Sequence, residues 1–151
     1  MKNILFILLI PFVAYSQPVK YNLSGLNSVK IEMFDHYNAL DVTSKQKIIT
    51  ETKLKLIAAG IKISDNPVAA FQIIIEVNKG AALVEPRILL KLQTLEKVQT
   101  FRNVRTESIT YYNDVLFNTP LNNLERTIYT IFLDRLLLDF IDHWLKDNKS
   151  P

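Results

Sequence analysis

The 151-residue sequence contains no cysteine. Disulfides, thiol catalysis, thiolate metal sites and a cysteine-linked lipid are therefore excluded, and stability has to come from a packed core. Glycine is scarce. Gly25, Gly60 and Gly80 stand far apart, so no glycine-rich loop can cradle a phosphate. No serine sits in a nucleophile-elbow pattern. An excess of either charge is lacking: 18 Lys+Arg against 15 Asp+Glu give a net +3. That excess is too small to argue for nucleic acid or an anionic membrane as a partner. There is no internal repeat, which argues against solenoids and propellers.

What is present begins with an export signal. Met1-Lys2-Asn3 carries one positive charge, Ile4 to Ile10 is an apolar run, and Ala14 and Ser16 are small residues at −3 and −1. This is the pattern of a cleavable secretory signal, with cleavage expected between Ser16 and Gln17. The run is well short of the ~20 apolar residues of a spanning helix, and Pro11 would break a helix there. No later stretch is long and apolar enough to span.

The rest reads as one domain of ordinary size. The expected division is 1–16 signal peptide, 17–28 flexible lead-in, 29–147 a single α+β domain, and 148–151 a tail. Val29 to Phe34 alternates apolar and polar residues, as a half-buried strand does. Thr43 and Gln46 form a capping-box pattern, opening a helix whose inner face is Ile48, Ile49, Thr52, Leu56 and Ala59. Gly60 suits its left-handed C-terminal cap. Ile61 to Ile63 is a short strand, and Asp65-Asn66-Pro67 a turn. Phe71, Ile73, Ile75 and Val77 share one face of a strong strand, which turns at Asn78-Lys79-Gly80. Arg87 to Thr100 is a long strand with Ile88, Leu90 and Leu92 on one face. The chain turns within Phe101 to Val104, and Arg105 to Tyr112 returns. Thr119 as cap and Pro120 in the first turn open a last helix, which ends near Lys146. The order β-α-β-β-β-β-α predicts an α+β fold, with two helices on one face of a mainly antiparallel sheet of about five strands.

The last helix carries two apolar stripes when laid out at 100° per residue. Leu124, Ile128, Ile131, Leu138 and Leu145 make one. Leu133, Leu137, Phe140 and Trp144 make another, on a different side. Four large apolar residues left in water would forgo several kcal/mol, at ~1.5–3 kcal/mol each. Either the sheet and the first helix cover both stripes, or the second meets a partner, a second copy or another exported protein. The candidate interaction residues are therefore Leu133, Leu137, Phe140 and Trp144. Asp134, between the stripes, is the candidate buried charge, with Arg102 or Arg105 as its partner, unless it lies solvated at the rim.

Other chemistry is thin. His143 has Asp139 and Asp147 four residues away on either side, but zinc sites converge more His or Cys ligands, so no metal and no cofactor is expected. No two carboxylates stand out as an acid/base pair. Arg87, Lys91, Lys97, Arg102 and Arg105, with Phe101, Tyr111 and Tyr112, have the basic-plus-aromatic composition of single-strand binding. Export and balanced charge argue against that use, and Lys and Arg stems also cover apolar sheet faces.

The signal ending Ser16-Gln17 resembles those of exported proteins of the Bacteroidetes. The segment Ile109-Thr110-Tyr111-Tyr112-Asn113-Asp114, followed by a helix ending at Phe140 to Asn148, resembles small exported proteins of that group with no established activity. Thr52 to Val77 is similar to the helix–strand segment of envelope modules such as the N-terminal domain of the Tol translocation protein and the curli-secretion lipoprotein. The chain departs from them where Asp65 to Ala70 is too short for their second helix, and in lacking the lipid-anchor cysteine. The expected function is a periplasmic or secreted, non-catalytic interaction module that binds itself or another envelope protein. The alternative is a small-molecule carrier or hydrolase with a pocket lined by Ile74, Leu90 and Phe140.

Overall fold

A computed structural model describes residues 21–78, 85–99 and 102–149. The signal segment, Lys79, Gly80, Thr100, Phe101 and the last two residues lie outside them. The elements run β1 (Ser28–Asp35), α1 (Val42–Ala59), β2 (Lys62–Ile63), β3 (Ala69–Asn78), β4 (Arg87–Gln99), β5 (Arg105–Asn118), α2 (Leu124–Ile131) and α3 (Leu137–Lys149). The five strands form one sheet in the order β2-β1-β3-β4-β5. β1 runs parallel to β2 and β3, while the longer β3–β4 and β4–β5 pairings are antiparallel. The fold is α+β, as the element order predicts.

Alternation along the strands decides which face the helices cover. In β3, Phe71, Ile73, Ile75 and Val77 are buried, while Gln72, Ile74 and Glu76 are half-buried on the opposite side. Ile88, Leu90, Leu92 and Thr94 of β4 join the covered face. Between Thr94 and Leu95 a bulge takes up one extra β5 residue, Thr110. It keeps Tyr111 and Val115 inward on one side, and places Ile109 outward on the other. Thr94 stays satisfied through Thr110, 2.8 Å away.

α1 buries Ile48, Thr52, Leu56 and Ala59, four of the five residues expected on its inner face; Ile49 is half-buried. Thr52 donates its hydroxyl proton back to the Ile48 carbonyl at 2.6 Å. The start of α1 corrects the capping-box expectation. Asp41, not Thr43, is the N-cap, and its carboxylate accepts from the Ser44 N–H at 2.6 Å. A carboxylate is the better acceptor against the helix dipole, and Glu125 of α2 completes the cap from the Ser44 hydroxyl at 3.0 Å. Gly60 ends α1 at φ 107°, as expected.

The last helix is not continuous. Pro120 precedes a short 3-10 turn, Leu121–Asn123, and Thr119 does not cap it. Thr119 pairs instead with Thr127, hydroxyl to hydroxyl at 3.2 Å. Phe132–Leu136 forms a π-helical turn between α2 and α3. That wider turn absorbs one residue and rotates everything after it by about 100°. Leu124 and Ile128 of the first stripe are thereby brought into line with Leu133, Leu137, Phe140 and Trp144 of the second, and all are buried. Leu138, beyond the turn, is left exposed. Laying the whole segment out as one α-helix is what separates one apolar face into two.

Three boundaries move. β5 continues six residues past the expected Tyr112, to Asn118. At the amino end, Leu23 and Leu26 are fully buried, so residues 21–28 of the expected lead-in pack as part of the domain. The Leu23 N–H donates to Asp147 at 2.8 Å, and the Gly25 N–H to Asn148 at 2.9 Å. The Trp144 indole N–H donates to the Leu26 carbonyl. α3 accordingly reaches Lys149, and Asp147 and Asn148 are anchors rather than a frayed tail.

Candidate functional site

The four residues expected to meet a partner are inside the molecule. Leu133, Leu137, Phe140 and Trp144 are at most 5% exposed. Phe140 stands edge-on to Phe71 at 5.0 Å and to Tyr111 at 5.1 Å, so the chain's own sheet covers this stripe. Asp134 is exposed, at the rim, and is not a buried charge. The pocket expected between sheet and helices is also corrected. Leu90 and Phe140 are fully buried in the core, while Ile74 alternates onto the opposite side of β3, so the three line no common cavity.

A polar cluster that the sequence reading did not assemble sits where β5 meets α3. Asp139 accepts hydrogen bonds from the Tyr111 hydroxyl at 2.7 Å and the Asn113 amide at 2.9 Å. His143 places Nδ1 2.8 Å from the Asp139 carbonyl oxygen and 3.6 Å from its carboxylate. The Tyr21 ring lies 4.6 Å from that of Tyr111 and edge-on to His143 at 5.5 Å, centroid to centroid. The Tyr21 hydroxyl donates to the Tyr112 carbonyl on the β5 edge. Burial and the bond to Asp139 push the Tyr111 hydroxyl far above its ordinary pKa, so it stays protonated and donating. Tyr111 and Asn113 at i, i+2 on a strand, and Asp139 and His143 at i, i+4 on a helix, are same-face spacings. Their meeting across 26 to 32 positions is what no local pattern could reveal. The Asp139 carboxylate accepts from Tyr111 and Asn113 through one oxygen, and the Tyr111 and His143 rings pack against Tyr21, so the cluster joins β5, α3 and the first described residues.

Asp147, once a ligand candidate beside His143, is committed to the Leu23 N–H. His36 is exposed, stacked 6.4 Å from Phe34. No group of three metal-ligating side chains occurs among the described residues.

The uncovered face of the sheet is the other feature. Strand register places side chains in rows across it. Glu32, Gln72, Gln93 and Tyr112 form one row. In it the Gln72 amide donates to Glu32 at 3.1 Å, and the Gln93 amide to Gln72 at 2.8 Å. Lys91 pairs with Glu76 at 2.7 Å. Around this polar band lie Phe34, Ile109 and Leu116, which are 39%, 54% and 56% exposed, with Ile74, Leu89 and Leu95 half-buried. Tyr112 donates to Asp114 at 2.9 Å. Burial, then that bond, pushes its hydroxyl up to about 12. The basic-and-aromatic set expected on the hairpin is divided by the sheet: Tyr111 is in the core and Lys91 is ion-paired.

No protein-family model matches the chain, and no curated protein matches it. Among solved structures it is similar to a PelC dodecamer from Paraburkholderia phytofirmans, at 8% identity over 78% of this chain and 91% of that one, TM-score 0.46. It is similar to a minor lipoprotein from Acinetobacter baumannii, at 12% identity over 78% and 94% of the two chains, TM-score 0.31. Rare lipoprotein B from Shewanella oneidensis is 8% identical over 80% of this chain and 92% of its own, TM-score 0.36. At such identities these likenesses transfer no residue role.

Proposed function

We propose that the protein is an exported, non-catalytic module that works through a surface rather than a pocket, with another envelope protein or a second copy as its partner. The uncovered sheet face carries this reading. It is a broad surface on a rigid element, edged by Phe34, Ile109 and Leu116 and crossed by a hydrogen-bonded polar band. Its apolar side chains are large enough to anchor a contact, and its polar groups are held in fixed positions by one another. The side chains most apt for chemistry are engaged with one another: Asp139 accepts from Tyr111 and Asn113, and the rings of Tyr111 and His143 pack against Tyr21. The export half of the reading rests on residues 1–16 of the sequence.

The test is crosslinking in the native host, with a photoreactive residue at Leu116 or Ile109. Specific adducts in the envelope fraction, absent when the probe sits at Thr43, support the reading. A cytosolic protein that still retains Met1 removes the export half. An unlinked protein that is monomeric by light scattering removes the interaction half.

A further inference from the structure

We infer that the outer edge of β5 pairs with the same edge of a second copy, antiparallel about Leu116, so that two five-stranded sheets become one. The contact lies on the rim of the sheet and not on its uncovered face, so it stands or falls apart from any envelope partner of that face.

β5 is the outermost strand on its side, and no strand lies beyond it among the described residues. Which of its backbone groups point outward follows from alternation. Along a strand the N–H and C=O of successive residues turn to opposite sides. The Tyr112 carbonyl is on the outer side, where it accepts from the Tyr21 hydroxyl. Past the bulge, pairing with β4 is regular from Tyr111 to Asn118. Asp114, Leu116 and Asn118 therefore turn their N–H and C=O outward as Tyr112 does, and the residues between them bond to β4. No hydrogen bond reaches the backbone of Asp114 or Leu116 from outside the sheet among the described residues. A row of free donors and acceptors at this spacing is satisfied by another extended strand.

The two edges of the sheet are unlike. The far edge ends in β2, which is two residues long and carries Lys62. Short edge strands and lysines both discourage pairing. β5 has neither device. It runs for 14 residues, and from Thr106 to Asn118 it holds no lysine, arginine, proline or glycine. Isoleucine, threonine, tyrosine, valine and phenylalanine, the residues that favour strands, recur along it. With one edge guarded and one bare, like meets like, and the contact closes as a dimer instead of growing into a fibre.

The bare edge also matches itself. When Leu116 stands opposite Leu116 of the second copy, Val115 faces Phe117 and Asp114 faces Asn118. Apolar meets apolar on both sides of the sheet, and the carboxylate meets an amide. Centring the pair on Asp114 would oppose two carboxylates, which is unfavourable. Centring it on Val115 would run the contact onto Tyr112, where Tyr21 already sits. The Leu116 register leaves Tyr21 undisturbed, and it joins the two uncovered faces into one. The paired stretch is short, so association on the order of 10 μM is expected.

The experiment is sedimentation equilibrium of the protein from about 1 to 200 μM. The parent's mass should rise toward twice that of the monomer. Leu116→Lys opposes two lysines at the centre of the contact and should weaken the dimer at least about tenfold. Leu116→Pro deletes an outward N–H that β4 does not use, a place where a sheet edge tolerates proline, and should weaken it comparably. Because the chain has no cysteine, Leu116→Cys supplies a sole thiol. Cα atoms of a hydrogen-bonded antiparallel pair are about 5.5 Å apart, within disulfide reach. Under mild oxidation in the host's envelope fraction, this variant should form a covalent homodimer at least about tenfold faster than Ile109→Cys. Ile109 is 54% exposed and Leu116 56%, so exposure alone predicts equal rates. A parent that stays monomeric throughout overturns the edge pairing, while crosslinks from the uncovered face to an envelope protein would still stand. Lysine and proline variants that fold by circular dichroism and associate as the parent does overturn it. So do equal rates for the two thiols. A mixed disulfide at position 116 with another envelope protein, and no homodimer, overturns it by giving the edge to that protein's strand.

Discussion

The two faces of the central sheet are built from the same strands and do opposite work. Toward the helices β3 presents Phe71, Ile73, Ile75 and Val77, all but sealed from water. One residue out of step it presents Gln72 and Glu76, tied to their neighbours Glu32, Gln93 and Lys91, with Ile74 half-buried between them. Each large side chain on the first face contributes about 1.5–3 kcal/mol of burial. Each cross-strand pair on the second contributes about 0.2–1 kcal/mol. Stability is therefore concentrated on one side, and the other side is less constrained by the core. A single position of register separates the two roles.

The sharpest way to break this contrast is Phe140→Ala, which empties the centre of the covered face between Phe71 and Tyr111. A loss of about 3–5 kcal/mol is expected in urea unfolding. Next is Asp35→Ala. Its carboxylate is 2% exposed and accepts from the Ala39 and Leu40 N–H groups at 2.8 and 3.0 Å, with Lys45 alongside. Burial works against its ionisation, but these donors outweigh burial and hold its pKa below the ordinary value. Removing it should cost about 2–3 kcal/mol. Because the folded pKa is depressed, this stabilisation is complete above the unfolded value of about 3.9 and declines as the pH falls below it. Unfolding titrations of parent and variant should converge in acid. Gly60→Ala follows, at about 1 kcal/mol. The Cβ would stand an ordinary 3.5 Å from Trp144, so the cost is the left-handed backbone rather than a clash. The smallest effect belongs to the uncovered face: Leu116→Lys should change stability by no more than about 0.5 kcal/mol. A loss like that of Phe140→Ala at this position would mean that the two faces do not divide the labour as described.

Strand positions and the sidedness of β3 and β4 were legible because alternation is local. So was the end of α1, where Gly60 takes a conformation other residues avoid. The course of the last helix was not. A π-helical turn leaves no mark in Phe132 to Leu136, whose residues all suit an α-helix; its cause is that Ile128 and Phe140 must reach the same core. The role of Tyr21 to Leu26 was hidden for a related reason. The segment is polar and irregular, and what orders it is Trp144, Asp147 and Asn148, some 120 positions away. The candidate interface failed on the same turn, since the stripe that looked surplus is the core itself.

That long-range fastening has a consequence for the chain as a thread. Leu23 and Gly25 are hydrogen-bonded to Asp147 and Asn148, so the folded polypeptide nearly closes on itself. A short linker could splice residue 149 to residue 21, making a circle in which every strand and helix keeps its neighbours. Where translation starts is then a matter of where that circle is cut, and permuted versions opened at a surface bend should still reach the same architecture.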